Sequence, residues 1–255
     1  MGEEELKEPA SEDPGEAPAE EGRSESPAPP RRWLPLSLLT IGTIALLAAL
    51  VSLSVGENRE EDLVITGTGD VQELIAGIPQ LGERLGNSDA PITLTLFTDV
   101  QAPLAADYQR DVIDPFIEDE VRTGNAQMIF KNFSLGAKEV TLGGIAVEAA
   151  AAQDHGWQYA EMFMRNQDEV KQSGVDQDFL DEVAGNTPRL EVTEWEDAYY
   201  DPASREEAEK DAELAVSLRL RGDGTAVNVQ GPNGSELLQD SPSREEIDAA
   251  IERVS

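Results

Sequence analysis

The chain holds few side chains of the kind that do covalent chemistry. It has no cysteine and a single histidine, His155. Without cysteine, no thiolate nucleophile, disulfide or thiolate metal site can form within its 255 residues. His155 has no serine–acid or metal-ligating constellation around it in sequence, so a structural role is expected. Asp99 ends a β-rich run. It could be buried, with a raised pKa and a part in proton transfer; a hydrogen-bonded strand-end aspartate is the plainer reading. Glu118-Asp119-Glu120 and Glu206-Glu207 lack the alternating oxygen ligands of a dedicated calcium loop and read as solvated faces. No metal and no cofactor are expected. Arg221-Gly222-Asp223 copies an adhesion tripeptide. Asn132-Phe-Ser134 and Asn233-Gly-Ser235 fit the glycosylation acceptor pattern. All three are short enough to arise by chance.

The elements that would position such residues follow from periodicity. Ile92-Thr-Leu-Thr-Leu-Phe97 reads as a buried strand. Val112, Ile113, Phe116, Ile117 and Val121 then recur at helical spacing up to Gly124, and Pro115 among them predicts a kink or a break. Ala126-Gln-Met-Ile-Phe130 reads as a second strand, so the unit is βαβ with a parallel pair. Residues 138–220 are mostly helical in pattern, with an alanine-rich run from Ile145 to Ala152. Ser204 with Glu207 predicts a capping box opening a helix through Leu220. Thr225-Ala-Val-Asn-Val229, the turn Gly231-Pro-Asn-Gly234 and Glu236-Leu-Leu-Gln239 predict a hairpin. Ser243 with Glu246 caps a last helix, whose stripe is Ile247, Ala250, Ile251 and Val254. No internal repeat is visible.

Charge dominates the composition. There are 52 acids against 19 lysines and arginines, a formal net charge of −33. Such a surface repels nucleic acid and anionic lipid and favours cations or basic peptides. The only lysines are Lys7, Lys131, Lys138, Lys171 and Lys210. An acid-rich, lysine-poor surface suits concentrated salt; lineage composition bias explains it as well. Residues 1–32 are rich in Glu, Pro, Ala and Ser, and a disordered cytoplasmic tail is expected there. Beyond them lie 42 acids and 15 bases, a net of −27.

Residues 33–56, Trp33 to Gly56, carry no charge. As a helix they would span about 36 Å, enough for a hydrocarbon core of about 30 Å. Pro35 falls in the first turn and Trp33 at the interface. Arg31 and Arg32 precede the segment, and Glu57, Glu60, Glu61 and Asp62 follow it. The positive-inside rule then predicts a single-pass anchor, with the N-terminus cytoplasmic and the C-terminal part extracytoplasmic. A cleaved signal peptide is the competing reading. The long apolar run and acidic leader favour the anchor. Residues 57–85 read as linker and lead-in, and 86–255 as one α/β domain.

Gly77-Ile-Pro-Gln80, Leu85-Gly86, Asp89-Ala-Pro-Ile-Thr-Leu-Thr-Leu-Phe97 and Asp99-Val-Gln-Ala-Pro103 together resemble the opening of DsbA-like disulfide oxidoreductases, membrane-anchored bacterial members in particular. Gln153-Asp-His-Gly-Trp157, Tyr159, Met162-Phe163 and Asn166-Gln167 are similar to that family's helical insertion. Gly224-Thr225 to Gly231, then Ile247 to Val254, resemble its closing ββα. The likeness covers about residues 74–254. It implies a thioredoxin-like fold ordered βαβ, helical block, ββα.

The departures are at the chemistry. The family's Cys-x-x-Cys falls on Ala102-Pro103-Leu104-Ala105. The resemblance implies a nucleophilic thiolate at Ala102, where the residue has no electron pair to offer. The family's cis-proline loop falls on Gly224, Thr225 and Ala226, and no proline lies between Pro202 and Pro232. A cis bond without proline costs about 3–4 kcal/mol, so a trans loop is expected. In the family, the groove beside this site holds extended peptides. Here Ala102, Leu104, Thr225 and Ala226 are the candidate groove residues. The expectation is a redox-inactive binding or scaffold module with envelope protein or peptide clients and no nucleic acid. Thiol–disulfide exchange by family assignment and an acidic structural domain for a high-salt envelope are the alternatives.

Overall fold

A computed structural model describes residues 63–134, 140–169, 174–220 and 224–255. The expected tail, the expected membrane segment at 33–56 and Arg221-Gly222-Asp223 lie outside these. Among the described residues, no helix is long and apolar enough to cross a membrane.

Six strands form one sheet, in the order β1-β2-β4-β3-β5-β6. They are β1 (Gln80–Leu81), β2 (Arg84–Leu85), β3 (Ile92–Thr98), β4 (Ala126–Asn132), β5 (Ala226–Gly231) and β6 (Gly234–Leu238). β3 and β4 run parallel from Ile92↔Ala126 to Thr98↔Asn132, as the βαβ reading requires. β5 pairs antiparallel with β3, Leu96 opposite Val227 and Phe97 opposite Ala226.

β3 is central, so both its faces are covered. Leu94 and Leu96 point into the main core, while Phe97 joins a smaller cluster with Phe133, Ala215, Leu220 and Ala226 on the other face. That follows from the two-residue period of a strand. Residues 63–85 supply more than a lead-in. Helix α1 (Thr68–Ile75) and strands β1 and β2 lie there, and Val71, Leu74, Ile75 and Leu85 belong to the same core.

Between β3 and β4 the chain is helical without a break from Pro103 to Val121. It runs through α2 (Pro103–Tyr108), a π-turn (Gln109–Ile113), α3 (Asp114–Phe116) and a second π-turn (Ile117–Val121). Pro115 has no N–H for an ordinary helical bond and its ring crowds the preceding turn. The helix widens around it rather than breaking. The stripe survives, with Ile113, Phe116, Ile117 and Val121 all buried.

The helical block is α4 (Leu142–Ala151), α5 (Gly156–Arg165), α6 (Gln177–Asn186), α7 (Val192–Tyr200) and α8 (Pro202–Ser217). Tyr159 and Tyr199 both stack with Trp195, at centroid distances of 5.5 and 5.4 Å. Phe130 of the sheet meets Trp157 edge-on at 5.5 Å. One capping expectation fails. α8 opens at Asp201, whose Oδ1 accepts the Ala203 N–H at 2.8 Å, with Pro202 pre-set as the first helical residue. Ser204 lies inside that helix, and its hydroxyl donates to the Ala198 carbonyl. The other box is present: Ser243 and Glu246 cap α9 (Arg244–Val254) reciprocally.

Candidate functional site

The candidate site grows out of the C-terminal end of β3. Thr98 ends the strand, and residues 99–102 turn the chain into α2. Within that turn the Asp99 carboxylate accepts the Gln101 N–H at 2.9 Å, and the Asp99 carbonyl accepts the Ala102 N–H at 2.9 Å. Burial raises the Asp99 pKa, and hydrogen bonds from Gln101 and Ser134 oppose the rise. Asp99 therefore combines both expectations: it is hydrogen-bonded at the strand end, and burial raises its pKa.

Three further side chains hold the turn. Asn132 Oδ1 accepts the Val100 N–H at 3.0 Å. Gln167 Nε2 donates to the Val100 and Ala102 carbonyls. Gln101 Oε1 accepts the Gly143 N–H at 2.8 Å. The last contact needs glycine, since a Cβ at Gly143 would stand 2.8 Å from Val100 Cγ2. β4, α4 and the chain after α5 therefore all fix the same four residues.

Ala102 caps α2 with extended backbone and no side-chain bond, and Pro103 takes the first helical position. Ala102 is half-buried, Ala105 is buried, and Leu104 is 60% exposed. The spacing thus presents one large apolar side chain to solvent, between two methyl groups.

The facing loop is closed inward. The hydroxyls of Thr98 and Thr225 hydrogen-bond at 2.9 Å. Ser241 Oγ accepts the Thr225 N–H at 3.1 Å, and the Ser241 N–H donates to the Thr225 carbonyl at 2.7 Å. A Cβ at Gly224 would meet Ser241 Oγ at 2.8 Å, so a larger residue there would displace the hydroxyl that holds Thr225. Thr225 and Ala226 are each 3% exposed. Of the four candidate groove residues, Leu104 and Ala102 reach the surface, while Thr225 and Ala226 do not: the bonds to Thr98 and Ser241 turn that loop inward, against the expectation that it would line a groove. Tyr108 ties α2 to the residue after Ser241, donating from its hydroxyl to the Pro242 carbonyl at 2.8 Å. Burial raises its pKa, and Glu246 adds to that.

His155 starts α5, with Nδ1 3.1 Å from Gln158 Oε1, and joins no catalytic constellation. Asn132 is 3% exposed and bonded on its side chain, which removes it as a glycosylation acceptor; Asn233 is exposed. Asp119 and Glu120 pair with Arg244.

Two buried polar clusters escaped the sequence reading. Glu161 is 1% exposed and receives a hydrogen bond from Gln109, and Arg165 pairs with both Glu161 and Asp114 around the first π-turn. Burial and then Asp114 hold the Glu161 carboxyl well above its usual range. The other joins Glu83, Glu148 and Asp211 around Lys131; carboxylate oxygens of the three acids lie within 4.8 Å of one another. The cation among them is the lysine itself. One signal was legible: Glu148 is the only charge in the run from Ile145 to Ala152.

A family model described as thioredoxin matches residues 81–220. Over 152 residues the chain is 26% identical to the probable disulfide bond formation protein D of Bacillus cereus, covering 58% of this chain and 70% of that protein. It is 23% identical over 157 residues to disulfide bond formation protein D of Bacillus subtilis, covering 60% and 71% respectively. The oxidised crystal structure of BdbD from Bacillus subtilis superposes with a TM-score of 0.57 at 20% identity, covering 69% of this chain and 96% of that one. DsbA of Chlamydia trachomatis gives 0.54 at 16%, covering 67% and 90%. These likenesses show the fold.

Proposed function

The chain belongs to the thioredoxin family, in its DsbA-like branch, and on that premise we propose that it is a membrane-tethered, extracytoplasmic domain that binds extended protein segments and performs no thiol–disulfide exchange. The observation that carries this reading is the pairing of Ala102 and Ala105 with an exposed Leu104 at the start of α2. Exchange requires a thiolate attacking a disulfide sulfur through a mixed disulfide. The chain has no thiol to attack with and none to resolve the intermediate.

What supports binding is the state of the surroundings. The turn at 99–102 is pinned by Asn132, Gln167 and Gln101, and the facing loop by Thr98 and Ser241. A rigid platform with an exposed leucine presents apolar area at little ordering cost. The acidic surface favours segments that carry basic residues. The uncharged stretch at 33–56 supports the tether, and the cations before it support the outward orientation.

Family membership by itself would assign thiol–disulfide exchange, and one pair of assays separates the readings. Insulin reduction and oxidative refolding by the purified chain are expected at background. Capture of envelope proteins by the full chain is expected to fall with Leu104→Asp. Exchange activity that survives removal of contaminating oxidoreductases overturns the first half. Capture unchanged by Leu104→Asp overturns the second.

A further inference from the structure

Four charged side chains from four separate elements meet where the sheet backs onto the helical block. Glu83 comes from the turn between β1 and β2, Lys131 from β4, Glu148 from α4 and Asp211 from α8. Lys131 Nζ bonds Glu83 Oε2, and Asp211 Oδ1 at 2.7 Å. Glu148 and Asp211 are 6% and 2% exposed. Glu83 Oε1 and Glu148 Oε1 are buried without a hydrogen-bond partner. Fully ionised, the cluster would bury three negative charges against one positive, so it retains protons. Burial, then Glu83 and Asp211, pushes Glu148 up to about 9. Burial, then Glu83, pushes Asp211 up to about 7, against the pull of Lys131.

The surroundings add few charges. α8 places Glu207 on the rim of the same cleft and Lys210 near Lys131. Asp154, ahead of α5, accepts the Gly82 N–H at 2.7 Å. Trp157 of α5 donates to the Glu83 carbonyl at 2.7 Å, and β2 brings Arg84 with its Nε buried.

The cluster is joined to the candidate site by two hydrogen bonds in series. Asp211 Oδ2 accepts the Asn132 N–H at 3.2 Å, and Asn132 Oδ1 accepts the Val100 N–H at 3.0 Å. Val100 opens the turn that carries Ala102. A hydrogen bond to an ionised carboxylate is about twice as strong as one to its neutral form. We propose that the Glu83–Lys131–Glu148–Asp211 cluster is a proton-linked positioning device, which sets the turn at 100–102 through Asn132. Its use, adjusting the presentation of Leu104 to a bound segment, rests on the groove reading above. The coupling is measured without a client, so the two can fail separately.

The absence of cysteine makes the test direct. Leu104→Cys in the full-length chain takes one environment-sensitive, pH-insensitive dye, and its emission is titrated from about pH 5 to pH 9.5 in chelator-treated buffer. The expected signal is a transition centred near 7, with a second limb above about pH 8. Asp211→Asn removes the first transition. Asn132→Ala removes the dye response while the melting temperature keeps its pH dependence. Glu148→Gln copies the protonated form, so the fold is kept, and it removes the limb above pH 8. The same dye on Val192→Cys, 41% exposed on α7, reads flat. A flat curve at Leu104→Cys overturns the proposal. So does a curve left unchanged by Glu148→Gln, or a transition that persists in folded Asp211→Asn. Loss of captured clients with Leu104→Asp bears on the groove alone.

Discussion

The turn at the start of α2 and the cluster around Lys131 are opposites in one fold. At the turn the reactive side chains are absent, yet the backbone is clamped from several directions. At the cluster the side chains are charged and buried, yet no reaction calls for them. The difference separates two things a site needs. Positioning at the turn comes from amides and carbonyls, and outlives the loss of the groups positioned. Electrostatic tension at the cluster comes from side chains that a hydrophobic replacement could simplify. A chain can therefore keep a site's architecture without its chemistry, while carrying costly ionisable groups elsewhere.

Removing the cluster's cation is the strongest way to break this contrast. Lys131→Met leaves two buried carboxyl groups and the half-buried Glu83 without a positive partner. A loss of about 3–5 kcal/mol is expected, read by urea denaturation of the full chain. If the loss is under about 1 kcal/mol, the cluster is a solvated face like those outside.

Next in size is the response to pH. The folded-state pKa values of Glu148 and Asp211 lie above their unfolded values of 4.5 and 3.8. Their stabilisation is therefore whole below about pH 4 and is lost as pH rises through about 7 and then about 9. Glu161 and Asp114 shift in the same direction. A fall in melting temperature of roughly 5 °C or more between pH 6 and pH 9 is expected by calorimetry. Glu148→Gln should flatten the alkaline part of that fall.

Ser243→Ala gives an intermediate scale, since it removes one reciprocal cap without touching the clamps on the turn or the charges around Lys131. It should cost about 1 kcal/mol. The smallest effects belong to the turn. Leu104→Asp should change stability by less than about 0.5 kcal/mol, because the side chain is largely in water. The pair Ala102→Cys with Ala105→Cys should leave the fold intact and raise insulin reduction from background to a measurable rate. No gain would mean that the scaffold has lost the geometry along with the thiols.

Much of the fold could be read from residue order, and the reasons are local. β3 and β4 show apolar runs of strand length, and α9 shows both a capping box and a stripe. Pro115 announced a disturbance. That the helix would widen rather than break depended on the core holding Phe116 and Ile117 in place. Ser204-x-x-Glu207 misled because Asp201-Pro202 starts the helix a turn earlier. At the candidate site, the positions of Ala102 and Leu104 were legible from the motif they replace. The inward turn of Thr225 was not, since it depends on Thr98 and Ser241, far away in sequence. The Lys131 cluster gathers residues from position 83 to position 211, and such convergence leaves only the odd charge in an apolar run as its trace.

The indoles have a practical consequence. The chain has three tryptophans, and two of them, Trp157 and Trp195, sit fully buried in the helical block with their N–H groups on the Glu83 and Ala146 carbonyls. With Trp33→Phe, all indole fluorescence would arise from that block. Its red shift during denaturation would then time the moment water enters between the helices, while far-ultraviolet dichroism follows the backbone of the whole domain. If the two curves coincide, block and sheet come apart together.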